Sequence, residues 1–143
     1  MEDPSIPTAE EEYARLFPGQ EIPNWALTKI KLFDYNDFVL KDDGIRTVPL
    51  LLIVGTTHPS YGNKVRWLDM LKAKKKSNFR PDNWPDFLNA DTSTLDLIRI
   101  AGTDEYYINA EGNHRTSALK LAGRDSITCH VQIATPVPPG PDF

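Results

Sequence analysis

Residues 106–123, YYINAEGNHRTSALKLAG, decide the fold of this chain. The first half is rich in residues that favour β-strands, and the second half contains the helix formers Ala118, Leu119 and Leu121. Between them lies a polar corner, residues 111–115, with a single glycine. Gly123 stands where a left-handed residue commonly ends a helix. The stretch therefore predicts a strand, a tight corner and a short helix.

The corner has the chemistry of an anion site. The first backbone N–H groups of a helix lack intrahelical partners, and they lie at the positive end of the helix dipole. Here His114 and Arg115 add two potentially cationic side chains at the same point. Because phosphate groups bind at helix N-termini of this kind, the corner predicts a phosphate site.

The flanking sequence predicts a small sheet around this corner. Residues 95–100 and 106–110 alternate as strands around a hairpin turn at 101–105. Residues 126–133 place Ile127, Cys129, Val131 and Ile133 on one face of a further strand. With the helix, these strands indicate a mixed, compact α+β domain.

The first half of the domain is predicted from weaker patterns. Residues 27–33 indicate a strand, and residues 42–44, Asp-Asp-Gly, indicate a turn. The apolar run 48–54 predicts one continuous buried strand. A helix is predicted from Lys64 to about Lys75, with Asn63 as its N-cap.

The two ends differ in composition from the domain between them. Thr8 and Glu11 form a capping-box pattern that begins a short acidic helix, which Pro18-Gly19 ends. We therefore divide the chain into an acidic helical extension (1–24), the domain itself (25–135) and a proline-rich tail (136–143). The tail, with four prolines, is expected to be extended.

Composition limits the possible functions. The 143 residues carry a net charge of −4, which argues against a strongly basic surface for duplex DNA. No apolar run approaches the roughly 20 residues needed to span a bilayer, so no membrane partner is expected. A single cysteine, Cys129, excludes an internal disulfide and favours a cytoplasmic location. We expect Cys129 to be a small core residue.

Basic residues are concentrated in one segment. Seven of the 16 lysines and arginines lie between positions 64 and 80. This segment is either a solvated helix end or a basic rim beside a phosphate or nucleic-acid site. The candidate rim residues are Lys64, Arg66, Lys72, Lys74, Lys75 and Lys76.

The corner and its flanking elements resemble the superfamily of ParB N-terminal domains and sulfiredoxins. Members carry a glycine, one variable residue and His-Arg or Arg-Arg at the start of a helix with a small buried residue. Gly112, His114, Arg115 and Ala118 match that pattern, within a resemblance that extends from about residue 97 to 133. The resemblance implies that the corner holds ATP or CTP together with Mg²⁺.

Roles for individual residues follow from the resemblance and from side-chain chemistry. Arg115 would grip phosphate oxygens as a fork, and His114 would donate to phosphate or transfer a proton. Glu111 would hold Mg²⁺ or orient an attacking water, although a capping role alone explains it equally well. The predicted nucleotide-binding residues are Gly112, Asn113, His114, Arg115, Thr116 and Ser117. In the purely structural alternative, His114 and Arg115 pair with Glu111 or Asp104.

The chain also departs from the best-known members of the superfamily. Asn113 occupies the position of the sulfiredoxin cysteine, which argues against sulfinic acid reduction. After residue 133 only ten residues follow, whereas partition proteins continue into a DNA-binding domain. Stand-alone members, including plasmid-borne fertility-inhibition proteins, are ATPases and nucleases, and others phosphorylate free serine.

Three functions follow from these observations. The first is a Mg²⁺-dependent NTPase, with DNase activity as an additional expectation, in which Glu111, His114 and Arg115 carry the chemistry. The second is a non-catalytic, nucleotide-responsive module that binds a partner protein through the acidic helix and the proline-rich tail. The third is a small-molecule kinase. The sequence does not select the nucleotide base.

Overall fold

The computed structural model describes residues 8–71, 89, 91–109 and 112–137. A six-stranded mixed sheet with flanking helices forms an α+β fold, as predicted. Its strands are β1 (Lys31–Leu32), β2 (Phe38–Pro49), β3 (Ile53–Thr56), β4 (Asp96–Ile100), β5 (Tyr106–Ile108) and β6 (Ser126–Pro136). They are arranged in the order β1-β3-β5-β4-β6-β2, so β1 and β2 are the edge strands.

The centre of the sheet is the predicted hairpin. β4 and β5 pair antiparallel with Leu97 opposite Ile108, and β5 also pairs parallel with β3. β6 pairs parallel with β4 and antiparallel with β2 along most of its length. The corner after β5 therefore leaves the sheet from a central strand.

Two α-helices lie on the same side of the sheet in the described part of the chain. They are α1 (Ala9–Leu16) and α2 (Asn113–Leu121), accompanied by 3₁₀ turns at Asn24–Leu27, Tyr35–Asp37, Leu50–Leu52 and Leu68–Leu71. α1 and α2 contact the turn Leu68–Leu71 through buried Tyr13, Leu16 and Leu121. The main core lies beneath them and includes Ile53, Leu97, Ile108, Leu119, Ile127 and Val131.

Several local predictions are confirmed. Thr8 and Glu11 make both hydrogen bonds of the capping box at the start of α1. α2 follows the corner, and Gly123 adopts a left-handed φ of 75° just after it. In β6, Cys129 is fully buried, and burial raises the pKa of its thiol to about 11. Cys129 is thus a core residue.

The continuous strand predicted over 48–54 is wrong. β2 ends at Pro49, a 3₁₀ turn covers Leu50–Leu52, and β3 begins at Ile53. The chain must pass here from the edge strand β2 to the other half of the sheet. Leu50 remains buried while Leu51 is 68% exposed, so the apolar run does not lie in one strand.

Two further predictions fail nearby. Residues 42–44 form a bulge within β2, in which Gly44 has a φ of 76°, instead of a turn between elements. The strand predicted over 27–33 is reduced to Lys31–Leu32, because Asn24–Leu27 forms a 3₁₀ turn.

The predicted helix start at Lys64 is wrong. Residues 59–65 form turns, and the first helical segment is the 3₁₀ turn Leu68–Leu71. Asn63 does not cap a helix. It has a left-handed φ of 61°, and its side-chain oxygen accepts a hydrogen bond from the Leu32 backbone N–H. The remainder of the predicted helix, residues 72–75, lies outside the described residues.

The predicted division of the chain into an extension, a domain and a tail stays a prediction, but the described ends of the chain both contact the domain. α1 contributes buried Ala9, Tyr13 and Leu16 to the same clusters as α2. β6 includes Pro136, and the Val137 N–H donates to the Asp37 carbonyl. Residues 138–143 lie outside the described part. Within the described residues, no helix has the length and apolar character needed to cross a membrane.

Candidate functional site

Gly112 forms the turn between β5 and α2. It has a φ of 93°, a conformation that residues with a Cβ rarely adopt. A Cβ at this position would lie 2.5 Å from Leu95 Cδ2. The corner therefore requires glycine for two independent reasons, backbone conformation and close packing.

Asn113 joins the first turn of α2 to the sheet. Its side chain is buried, and its Oδ1 accepts a hydrogen bond of 2.5 Å from Thr56 Oγ1 at the end of β3. The same hydroxyl oxygen accepts from the His58 N–H. Because this hydrogen bond joins the first residue of α2 to the end of β3, Asn113 fixes the position of the helix start against the sheet.

His114 lies in a polar and aromatic group beside the corner. Its Nδ1 is 2.9 Å from the Met70 carbonyl oxygen, which can only accept, so Nδ1 carries a proton. In the neutral imidazole Nε2 is then the acceptor, and the Tyr61 hydroxyl donates to it at 3.3 Å. The Tyr61 ring also stacks on His58 with centroids 4.4 Å apart. His114 thus pairs with these groups and not with Asp104.

The next three side chains contain buried polar atoms without partners. Nε and Nη2 of Arg115, Oγ1 of Thr116 and Oγ of Ser117 make no hydrogen bond within the described part of the chain. Thr116 and Ser117 are fully buried. The Thr116 hydroxyl faces Gly112, since it lies 3.9 Å from where a Cβ there would be. Buried polar atoms are usually satisfied, so three consecutive exceptions are unusual.

Asp91 is an electrostatic neighbour of Arg115 in the described part of the chain. The pKa of Asp91 is lowered mainly by the backbone and side chain of Ser93, and the Arg115 charge contributes a smaller part. Arg115 makes no ion pair with Asp91 among the described contacts. Its guanidinium therefore keeps hydrogen-bonding capacity for a ligand.

The predicted basic rim is altered by pairing. Arg66 binds Asp69 through both Nε and Nη2, and Nη2 also lies 2.6 Å from Glu10 Oε1. The hydrogen bonds to Asp69 raise the pKa of Arg66 most, and the hydrogen bond to Glu10 raises it further. Its charge is thus neutralised by two carboxylates, whereas Lys64 is exposed. Lys72, Lys74, Lys75 and Lys76 lie outside the described residues.

The predicted metal ligand, Glu111, also lies outside the described residues. Among the residues that are described, no three His, Cys, Asp or Glu side chains come together as a metal site.

Sequence reasoning missed a polar network on the opposite face of the sheet, formed by Asp42, Asp96, Asn109, His130 and Gln132. The imidazole of His130 bridges Asp96, at 2.8 Å, and Asp42. Asn109 and Gln132 donate to the other oxygen of Asp96. No local pattern indicates this network, because its members come from four strands or their ends.

Lys120 is a second feature that the sequence did not reveal. A lysine in the last turn of a helix is expected to be solvated, yet Lys120 is only 6% exposed. Its Nζ donates to the Ile53 carbonyl at 2.6 Å and lies 4.0 Å from the Trp67 ring centre. Trp67 is 53 positions away in the chain, so spacing alone could not reveal this contact.

Comparisons with known proteins do not assign the chain to a family. A scan against protein-family models finds no matching family. A search of curated proteins finds no significant match.

Proposed function

We propose that the corner at residues 112–117 binds the phosphates of a nucleoside triphosphate, ATP or CTP, and that the protein hydrolyses it with Mg²⁺. One observation carries this proposal. Arg115, Thr116 and Ser117 hold buried, unpartnered polar atoms in the first turns of α2. The resemblance to ParB-type and sulfiredoxin domains supports the same site.

Energetics favour a missing ligand here. A buried polar group without a partner costs about 1–3 kcal/mol. A triphosphate offers several acceptor oxygens, and a guanidinium donates to them in a two-pronged arrangement. Binding would thus remove a cost that the free protein carries, while the backbone N–H groups at the helix start add further donors.

The neighbouring groups support hydrolysis. When its imidazole is neutral, His114 carries its proton on Nδ1, so Nε2 can accept a proton from an attacking water once Tyr61 moves away. The water oxygen would bond to the γ-phosphorus, and the bond to the bridging oxygen would break. Mg²⁺, held by Glu111 in this proposal, would neutralise phosphate charge.

DNase activity is a further part of the proposal. Phosphodiester hydrolysis needs the same phosphate grip and proton acceptor. Lys64 is exposed and would approach a DNA backbone, while Arg66 contributes little because it is already paired with Asp69 and Glu10.

The test combines thermal stability and turnover. We expect ATP or CTP with Mg²⁺, at about 100 times its dissociation constant, to stabilise the protein by about 2.7 kcal/mol. Arg115→Ala should abolish both this stabilisation and phosphate release. Arg46→Ala is the matched control, because Arg46 is exposed on β2 and, within the described residues, its ion pair is with Asp43. Equal turnover in wild type and Arg115→Ala would refute the site.

Supercoiled plasmid provides the nuclease assay. Nicking that requires Mg²⁺ and disappears in Arg115→Ala supports DNase activity at this site. Nicking that persists in that variant comes from elsewhere and contradicts it.

A second candidate is a nucleotide-responsive module that binds a partner protein. The observation in its favour is the edge strand β2, which exposes Val39 and Ile45, each 54% accessible. This candidate predicts nucleotide binding without phosphate release. The variant Val39→Lys/Ile45→Lys should then lose the partner while nucleotide stabilisation persists, and unchanged partner binding would contradict this surface. Deleting residues 1–20 is unsuitable as a test, since Tyr13 and Leu16 belong to the core.

A further inference from the structure

Lys120 lies near the end of α2 that is remote from the nucleotide corner. Seven residues separate it from Asn113, which corresponds to about 10 Å along the helix axis. The two places are therefore distinct, and the following inference does not depend on the proposed nucleotide function.

The ammonium group of Lys120 is buried, and no carboxylate among the described residues pairs with it. Its contacts are the Ile53 carbonyl oxygen and the rings of Trp67 and Trp25, whose centres lie 4.0 and 4.7 Å from Nζ. Removal from water lowers the pKa of Lys120 to about 8. Near neutral pH, a substantial share of this amine is therefore uncharged, unlike that of a solvated lysine.

A cavity of about 230 Å³ adjoins Lys120. Its walls are largely apolar and include Trp25, Pro49, Leu51 and Leu121. Leu51 is 68% exposed, and Arg124 and Asp125 in the lining are exposed too, so the cavity is reached from solvent on this side. It is smaller than the usual 300–1,000 Å³ of drug-sized sites, and so suits a compact molecule.

We propose that Lys120 and this cavity form a carbonyl-binding site, in which the lysine ε-amine condenses with a small aldehyde that has an apolar or aromatic body. The apolar walls would hold the body of the aldehyde, and the Trp25 ring would flank it. Amines that are desolvated in hydrophobic pockets are the ones that proteins use as nucleophiles towards carbonyl groups.

The reaction is balanced without a further reactant. The neutral Nζ attacks the carbonyl carbon, and one amine proton passes to the carbonyl oxygen, which becomes the hydroxyl of a carbinolamine. Loss of that hydroxyl together with the one remaining amine proton, as one water molecule, leaves an imine between Lys120 and the aldehyde carbon. Nζ gives up its hydrogen bond to Ile53 during this step, and the neighbouring rings remain in contact with the adduct.

The experiment uses the full chain, benzaldehyde as the probe and cyanoborohydride to reduce the imine to a stable secondary amine. Peptide mapping by mass spectrometry then gives the modification of each lysine near pH 7.5. We expect Lys120 to be modified at least about tenfold faster than the exposed Lys64, because desolvation lowers the pKa of Lys120 to about 8 and so leaves more of its amine neutral than in an ordinary solvated lysine. Modification of Lys120 at or below the level of Lys64 overturns the proposal.

A pair of variants tests the cavity. Leu51→Trp should narrow it and reduce modification of Lys120 severalfold while leaving Lys64 unchanged. Val137→Trp is the control, since Val137 is also exposed but follows β6 and lies outside the cavity lining. Equal modification of Lys120 in Leu51→Trp and Val137→Trp refutes entry through the cavity. Circular dichroism of each variant checks that it is folded, because the comparison requires a folded chain.

Discussion

Two polar groups flank the middle of the sheet, and they differ in how well they are satisfied. On one face, Asp96 accepts hydrogen bonds from His130, Asn109 and Gln132. At the start of α2, atoms of Arg115, Thr116 and Ser117 are buried with no partner among the described residues. A satisfied network stabilises the fold, whereas an unsatisfied one costs free energy. The comparison therefore separates a structural polar group from a candidate ligand site.

The largest effect is expected at the corner glycine. Gly112→Ala forces a Cβ against Leu95 in a left-handed conformation, so the free energy of unfolding should fall by about 3 kcal/mol. Gly102→Ala is the control, because Gly102 has a φ of 79° but open space around its Cα. The free energy of unfolding of Gly102→Ala should fall by only about 1 kcal/mol. Urea denaturation measures both, and equal losses would show that the Leu95 contact is unimportant.

Breaking the satisfied network should have the next largest effect. Asp96→Ala leaves His130, Asn109 and Gln132 without their common acceptor, and we expect a loss of about 2 kcal/mol in unfolding free energy. Nucleotide stabilisation should persist in a thermal-shift assay. A stable Asp96→Ala variant that no longer binds nucleotide would reverse the roles assigned to the two groups.

A substitution of Arg115 should affect nucleotide binding and leave stability almost unchanged, the reverse of Asp96→Ala. Arg115→Met removes a partly buried charge whose Nε and Nη2 have no hydrogen-bond partner among the described residues, so stability should change by no more than about 1 kcal/mol. Nucleotide binding should be lost. Calorimetric unfolding with and without ATP and Mg²⁺ makes the comparison, and a large destabilisation of the free protein would mean that Arg115 is structural.

The smallest effect is the pH dependence of the His130 network. Hydrogen bonds to Asp96 and then Asp42 raise the pKa of His130 above its usual 6.5. A raised folded-state pKa stabilises the protein fully below the unfolded value, and this contribution is lost as pH rises through the folded value. From about pH 6 to 8, unfolding free energy should therefore fall slightly in the wild type. His130→Gln should lack that decrease, and an identical slope in both proteins would contradict the assignment.

Much of the region around the corner could be predicted because its signals are local. The capping box joins Thr8 and Glu11, three residues apart, and the hairpin of β4 and β5 closes within a few residues. The left-handed Gly123 at the end of α2 needs only its own backbone freedom. The candidate site at residues 112–117 is likewise a prediction from composition and from its position next to a predicted helix start.

Other features depended on long-range contacts. Residues 48–54 have the composition of one buried strand, but they divide because β2 and β3 occupy different halves of the sheet. Arg66 had the appearance of a free cation until the fold brought Glu10 within 2.6 Å, 56 positions away. The helix predicted from Lys64 gave way to turns, in which Asn63 bonds Leu32 across 31 positions.

The sequence alone determined where α1, the central hairpin and α2 lie, since hydrogen bonds and backbone preferences within a few residues specify them. It also located the polar corner. Only the tertiary structure decided which polar groups are satisfied. His130 meets Asp96 from 34 positions away, and Lys120 meets the Ile53 carbonyl across 67. Arg115 makes no described hydrogen bond although its guanidinium is partly buried, because satisfaction depends on what folding brings alongside each group.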